Sequence, residues 1–435
     1  MNMQDRTESR RYAIWFVAVL IIAYTFSYID RTILTLMVKP IRASLQISDV
    51  QLSLLHGLAF ALFYTFMGIP IGRLVDRYRR TYIVAIGVAI WSLATALCGF
   101  AATFGMMFAA RVLVGIGEST LSPAAYSMLA DKFTGKKLVR ALAFYQSAIY
   151  LGPAIATFFG GVLLGKLEPL DGAFGHFEPW QLVFLLVGLP GLLIALLVAT
   201  LREPARHGAG ADVAIPSFPA VLRHMRERIG AYGLLIFGLC LQSIMWNGTT
   251  FWIPEHLKRA YGWTSSEVAW SYGPTIALCG IAGGLTGGWL AGWLRDKGRS
   301  DSNVLIGVIA AAGACPFAFA APLMPTGQLS LGLFGLFLFM GAMPYGGAAA
   351  AFQEITPNRM RGQVSAVYLF WLNLAGIGLG STLVALATEH LYGGDKGLSA
   401  ALSMVSGSAA LASMLVLAAC LKHYRAAQEQ QGATA

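Results

Sequence analysis

The chain has 435 residues, of which 57% are hydrophobic and 12% charged, and its mean hydropathy is +0.64. Soluble domains carry about 25% charged residues, so a water-soluble globular protein is excluded, and this hydrophobicity also excludes collagen-like and disordered chains. The formal charge of +10 raises the question of a nucleic-acid partner, which the placement of the charges answers below.

Apolar runs of the length a bilayer-crossing helix requires, about 20 residues, recur along the whole chain. Read against polar breaks, they predict twelve spans near residues 12–38, 50–73, 81–103, 106–130, 139–165, 180–201, 229–254, 267–294, 303–322, 328–352, 361–388 and 398–421. The fold class expected is therefore an all-α membrane protein. The basic segment Met1 to Arg11 leads into an apolar run with no small-residue cleavage site before Tyr28, Asp30 and Arg31, so this run reads as a retained first helix. The longest polar interruption, residues 202–228, separates a six-helix bundle at 1–201 from a second at 229–435. Within it Phe218, Val221, Leu222, Met225 and Ile229 recur at helical spacing opposite Arg223, Arg226 and Arg228. That pattern predicts a short amphipathic helix, either a structured linker or a helix lying on the membrane surface.

Lys and Arg collect in loops on the cytoplasmic side. With both termini inside, only Lys39, Arg42, Lys166, Lys258, Arg259 and Lys396 fall outside, and Arg31 and Arg111 fall within helices. All other basic residues are cytoplasmic. The positive charge is thus a topology signal, which removes the case for a nucleic-acid partner; the membrane expected is a plasma membrane of bacterial inner-membrane type. Five cysteines lie singly in apolar runs, and the seven histidines are scattered without metal-ligand spacing. No HExxH, GxSxG or GxxxxGK[ST] motif occurs, so neither an enzyme nor an ATP-driven pump is indicated. An ion gradient is then the expected energy source, with no cofactor and no metal.

Gly72-Arg-Leu-Val-Asp76-Arg77-Tyr-Arg79-Arg80 after the second span is echoed by Gly292-Trp-Leu-Arg-Asp296-Lys297-Gly-Arg299 after the eighth, an offset of 220 residues from 76 to 296. A glycine four residues before an acid–base pair would let a neighbouring helix approach and let the carboxylate bridge to it. Gly72, Asp76, Arg77, Arg80, Asp296 and Lys297 are therefore candidates for a conformational latch, with ordinary positive-inside anchoring as the alternative. Two six-helix halves carrying this GxxxD[RK]x[GNR]R element and its degenerate copy resemble the major facilitator superfamily. Tyr28-Ile-Asp30-Arg31, the Arg111-Val-Leu-Val-Gly115-Ile-Gly117-Glu118-Ser119 segment and Asp131-Lys-Phe133 are similar to Spinster-type transporters, with Ser27 where those sequences usually carry Asn. The resemblance implies a twelve-helix transporter in two pseudo-symmetric bundles. It also implies lysolipid- or sphingosine-phosphate-like molecules as the substrates of the animal members.

Asp30, Arg31, Arg111 and Glu118 are the ionisable groups predicted well inside helices, where each costs roughly 2.5 to 3.5 kcal/mol at the bilayer centre. Arg111, Gly115 and Glu118 share one helix face, whereas Asp30 and Arg31 project about 100° apart. The expectation is that Asp30 and Glu118 respond to protons and that Arg31 and Arg111 hold them ionised in one state; the alternative is a static network that positions helices. His56 is a further candidate for the relay or for a plain structural hydrogen bond. Tyr24, Thr25, Tyr28, Gln146, Tyr150, Trp246, Asn247, Tyr368, Trp371 and Asn373 are polar or aromatic groups at the depth where transporters bind substrate, although aromatics in apolar helices also serve as packing or interfacial anchors. The Asn247–Pro254 stretch suggests a bent or broken seventh helix, and Gly152, Pro153, Gly160 and Gly161 a closely packed fifth. These residues predict a monomeric, proton-coupled transporter of an amphipathic or anionic organic molecule. Uptake of a small organic acid is the main alternative, and a substrate-sensing receptor on the same fold is another.

Overall fold

A computed structural model describes residues 3–172, 175–206 and 217–434. Among them, twelve helical segments are long and apolar enough to cross a bilayer. They are Arg11–Leu36, Asp49–Gly68, Arg80–Cys98, Phe104–Lys132, Arg140–Leu164, Pro179–Ala199, Ile229–Tyr261, Ser265–Asp296, Ser302–Leu323, Gly327–Glu354, Asn358–Leu391 and Asp395–Gln431. The all-α multi-pass architecture expected from hydropathy is the one present. A two-stranded hairpin, Leu170–Gly172 paired antiparallel with Gly175–Phe177, joins the fifth and sixth spans. It is too short for hydropathy to have predicted it.

The chain divides into two compact units, Met1–Gly210 with Thr264–Gly273, and Ala211–Trp263 with Pro274–Ala435. In the first, the first span packs on the fifth, the third on the fourth and sixth, and the second on the fourth. Several of these spans are interrupted. The second begins with a capping box in which Ser48 and Gln51 satisfy each other's backbone N–H groups, runs Asp49–His56, and restarts after Gly57 as Leu58–Arg77. The fourth runs Phe104–Glu118, passes through Ser119 and Thr120, and resumes as Leu121–Lys132. At Gly115 a Cβ would stand 2.6 Å from the Phe60 carbonyl oxygen, and at Gly152 it would stand 2.3 Å from the Tyr28 Cβ. Absent side chains therefore bring the second span onto the fourth and the first onto the fifth.

In the second unit the seventh and ninth spans pack on the twelfth, and the seventh also on the eleventh. Of the bent or broken seventh helix expected, the break is corrected: the helix runs unbroken from Ile229 to Tyr261 with Pro254 inside it, and it takes in Lys258 and Arg259. Close packing holds it there, with Gly248 and the eleventh span's Gly380 in backbone contact and Trp252 Nε1 donating to the Ser381 carbonyl at 2.9 Å. The irregularity lies in the eleventh span instead, which contains π-helical turns at Leu374–Leu379 and Ala387–Leu391. Such turns concentrate at functional positions. The amphipathic helix predicted within 202–228 is present as Phe218–Glu227; residues 207–216 of that segment lie outside the described set.

Candidate functional site

Four charged side chains meet inside the first unit. Arg31 of the first span reaches Glu118 of the fourth, with Nη2 2.5 Å and Nε 2.6 Å from Oε2. Asp30, the preceding residue, turns about 100° away and pairs with Arg111, Nη1 to Oδ1 3.4 Å. The shared face of Arg111 and Glu118 is thus read by two adjacent residues of one partner helix, each carboxylate taking the arginine of the other segment. Glu118 is the last residue of its helical stretch, where the dipole disfavours negative charge, so Arg31 offsets a local penalty as well as a burial cost. The opposite end of the cluster uses a similar break: the interruption at Gly57 leaves the Leu55 carbonyl at a helix end, and Arg111 Nε donates to it at 3.5 Å.

Each carboxylate also has a hydroxyl partner that sequence reasoning missed. Ser27 Oγ donates to Glu118 Oε2 at 2.6 Å, and Thr95 Oγ1 of the third span donates to Asp30 Oδ2. Ser27 had a weak signal, since it lies one turn before Arg31 on the same face; Thr95 had none. Side-chain exposure is 13% for Arg31, 3% for Asp30, and 0% for Arg111 and Glu118, so the cluster opens only at Arg31. Three rings surround that guanidinium, Tyr28, Phe60 and Tyr64, at 5.0, 4.6 and 4.8 Å from Cζ. His56 is half-buried at the end of its helical stretch, next to the Leu55 carbonyl that Arg111 uses.

The substrate candidates separate into groups. Tyr24 and Tyr28 are in edge contact, and Tyr24 stacks on Tyr145 at 4.3 Å, which extends the aromatic wall away from Arg31. Thr25 faces Gly152 through its backbone, Gln146 ends a helical stretch with a buried Oε1 that no described group satisfies, and Tyr150 is buried. In the second unit Trp246 lies against Phe337 and Tyr345, and it lines a pocket of about 60 Å³ with Gln242, Ser243, Pro344 and Leu372. Asn247 Nδ2 is turned back to the Ser243 carbonyl at 2.9 Å. Tyr368 stacks on Phe352 inside a hydrophobic core, Trp371 is half exposed, and Asn373 stands immediately before the first π turn.

The chain matches the family model described as "Major Facilitator Superfamily" over residues 20–381. It belongs to the major facilitator superfamily. It is 25% identical over 86% of its length, and 84% of the other chain, to an MFS-type efflux pump of Mycolicibacterium smegmatis. It is 27% identical over 66% of each chain to a probable galactarate/D-glucarate transporter, GudP, of Bacillus subtilis. Among solved structures it is similar to a bacterial homologue of the human lysosomal transporter Spinster, with a TM-score of 0.78 and 26% identity over 96% of this chain and 97% of that one. The Spinster likeness read from the first-half motifs therefore extends to the fold, and the chain is a multi-pass membrane transporter.

The repeated element of this transporter is an ion-pair hub in both units, through the expected Arg80 in the first and through Arg295 and Arg299 in the second. Arg80 is buried and bonds Asp131, Ser127 Oγ at 2.8 Å, Glu203 Oε1 at 2.6 Å and the Pro204 carbonyl at 2.9 Å. Burial pushes the Glu203 carboxyl up, but the Arg80 hydrogen bond and the Thr81 N–H outweigh it and hold the group below the ordinary carboxylate range. Arg77 is exposed beside Tyr78, and the Asp76 side chain lies outside the described set. In the second unit Asp296 and Lys297 are exposed, Lys297 over the Trp293 ring at 3.8 Å, while their neighbours Arg295 and Arg299 bond Glu354 and Asp301. Asp301 also takes Arg425 at 2.6 Å, and these two arginines outweigh burial to lower its carboxyl. Within its own unit, no described atom stands within 4 Å of a Cβ at Gly72 or Gly292.

Proposed function

We propose that the chain is a proton-driven secondary transporter of an amphipathic or anionic organic molecule, working by alternating access in a bacterial inner membrane with both termini cytoplasmic. The observation that carries this reading is the buried quartet of Asp30, Arg31, Arg111 and Glu118, two ion pairs crossing between the first and fourth spans with partial access only at Arg31. A proton taken by Glu118 removes the charge that holds Arg31, and Arg31 then presents an uncompensated guanidinium to an anionic head group. Conversely, an anionic group that binds Arg31 displaces Glu118 and raises its appetite for a proton. This exchange links proton and substrate without a cofactor. The tyrosines beside Arg31 form a surface suited to an apolar tail.

By resemblance to Spinster-type proteins the cargo is lysolipid-like. The kinship with a galactarate/D-glucarate transporter favours a second reading, a small organic acid held at Arg31. Proteoliposomes under an imposed pH gradient, screened with lysolipids and sugar acids while internal pH is recorded, separate the two. The expected result is compound-dependent proton movement for one class, abolished by Asp30→Asn and by Glu118→Gln. Unchanged proton coupling in both variants overturns the assignment.

A further inference from the structure

The helix Phe218–Glu227 carries three stripes with different environments. Val221 and Met225 are buried, at 0% and 7% exposure, in the core cluster that also holds Tyr232, Ile355 and Tyr368. Phe218 and Leu222 stand next to them around the helix, yet they are 53% and 44% exposed. Arg226 and Arg223 follow in the next sector, both exposed. At about 100° per residue the order around the axis is docked apolar, open apolar, basic, with the helix's single acid, Glu227, exposed beyond the arginines. A soluble linker helix would need only the docked stripe.

The open stripe has a direction. Two residues after the helix ends, Ile229 starts the seventh span and is itself 63% exposed. The exposed apolar surface thus continues from the surface helix onto a segment that lies in the bilayer, which puts the helix at the level of the head groups. An interfacial helix sinks its apolar face about 5–10 Å into the head-group and acyl boundary and sets its basic face against phosphates. We infer that Phe218, Leu222, Arg223 and Arg226 form a binding site for anionic phospholipid head groups of the surrounding membrane, with the two arginines on the phosphates and the two apolar residues in the acyl boundary. Guanidinium groups suit this role because they bond phosphate oxygens in pairs.

The inference does not depend on what the transporter carries, so its test is separate from a transport assay. The full chain, purified in detergent, is titrated with phosphatidylglycerol and with phosphatidylcholine of identical acyl chains, and retained lipid is counted by native mass spectrometry. The expected preference for phosphatidylglycerol is on the order of 30-fold from two arginines near the surface, and it is lost in the Arg223→Gln/Arg226→Gln double variant. The Lys137→Gln variant, at an exposed lysine of the other unit, is expected to keep it. Hydrogen exchange of residues 220–227 in nanodiscs adds a second readout, with protection greater in phosphatidylglycerol than in phosphatidylcholine and reduced by Phe218→Ala/Leu222→Ala. Equal retention of the two lipids, or full retention by the double arginine variant, overturns the inference. So does displacement of the lipid by inorganic phosphate at matched concentration, or protection that is equally strong without lipid.

Discussion

Replacing Glu118 by Gln removes the charge from a carboxylate oxygen that accepts hydrogen bonds from Ser27 Oγ and Arg31 Nε and pairs with Arg31 Nη2 at 2.5 Å. Breaking a buried ion pair by deleting one partner costs about 3–5 kcal/mol. Arg31 is 13% exposed, so water relieves part of the charge left behind and the expected loss lies near about 3 kcal/mol. The rings of Tyr28, Phe60 and Tyr64 do not reduce this figure, because they touch Arg31 with or without Glu118. Arg31→Gln should cost at least as much, since it strands a Glu118 side chain that is 0% exposed. The double variant removes both charges, and replacing both members of a buried pair is often close to neutral. Equilibrium unfolding of the four proteins in mixed micelles, read by tryptophan fluorescence, closes the cycle. The coupling energy expected is at least about 2 kcal/mol. Single losses that add to the double loss within about 0.5 kcal/mol would show that Arg31 and Glu118 do not interact, and the cluster would lose its central contact.

Thr95→Val keeps the shape of the side chain but leaves the buried Asp30 without its hydroxyl donor. A loss of about 1–3 kcal/mol is expected, restored by Thr95→Ser; equal stability of the Val and Ser variants in the same unfolding assay contradicts it. Gly152→Ala drives a Cβ to 2.3 Å from that of Tyr28 and should cost about 1–3 kcal/mol as the first and fifth spans shift, whereas Gly72→Ala meets nothing within its unit and should be neutral to within about 0.5 kcal/mol. Because the Glu203 carboxyl is lowered in the fold, its contribution is complete above the ordinary glutamate pKa of about 4.3 and fades as pH falls through the lower folded value. Thermal unfolding should therefore lose stability between about pH 5 and pH 3, with a shallower slope in Glu203→Gln; parallel slopes would rule out that role.

Composition and periodicity alone determined that this chain is a twelve-span membrane protein in two related halves, because a bilayer demands about 20 apolar residues per crossing and each of the twelve segments supplies them locally. They also marked Asp30, Arg31, Arg111 and Glu118, since an ionisable group within such a run is costly wherever its partner lies. Which arginine serves which carboxylate was decided only by the tertiary structure. Periodicity shows that Arg111 and Glu118 share a face, but the rotation and depth of the first span relative to the fourth depend on packing at Gly115 and Gly152, whose neighbours are Phe60 and Tyr28. The same holds for Thr95 on Asp30 and for Glu203 on Arg80, contacts between residues 65 and 123 positions apart, where no local pattern records the partner. Pro254 is the converse case. Local rules predicted a bend or a break there, and tight contact between Gly248 and Gly380 accompanies a helix that runs through it without a break, because packing energy summed over a long interface exceeds the loss of one backbone hydrogen bond.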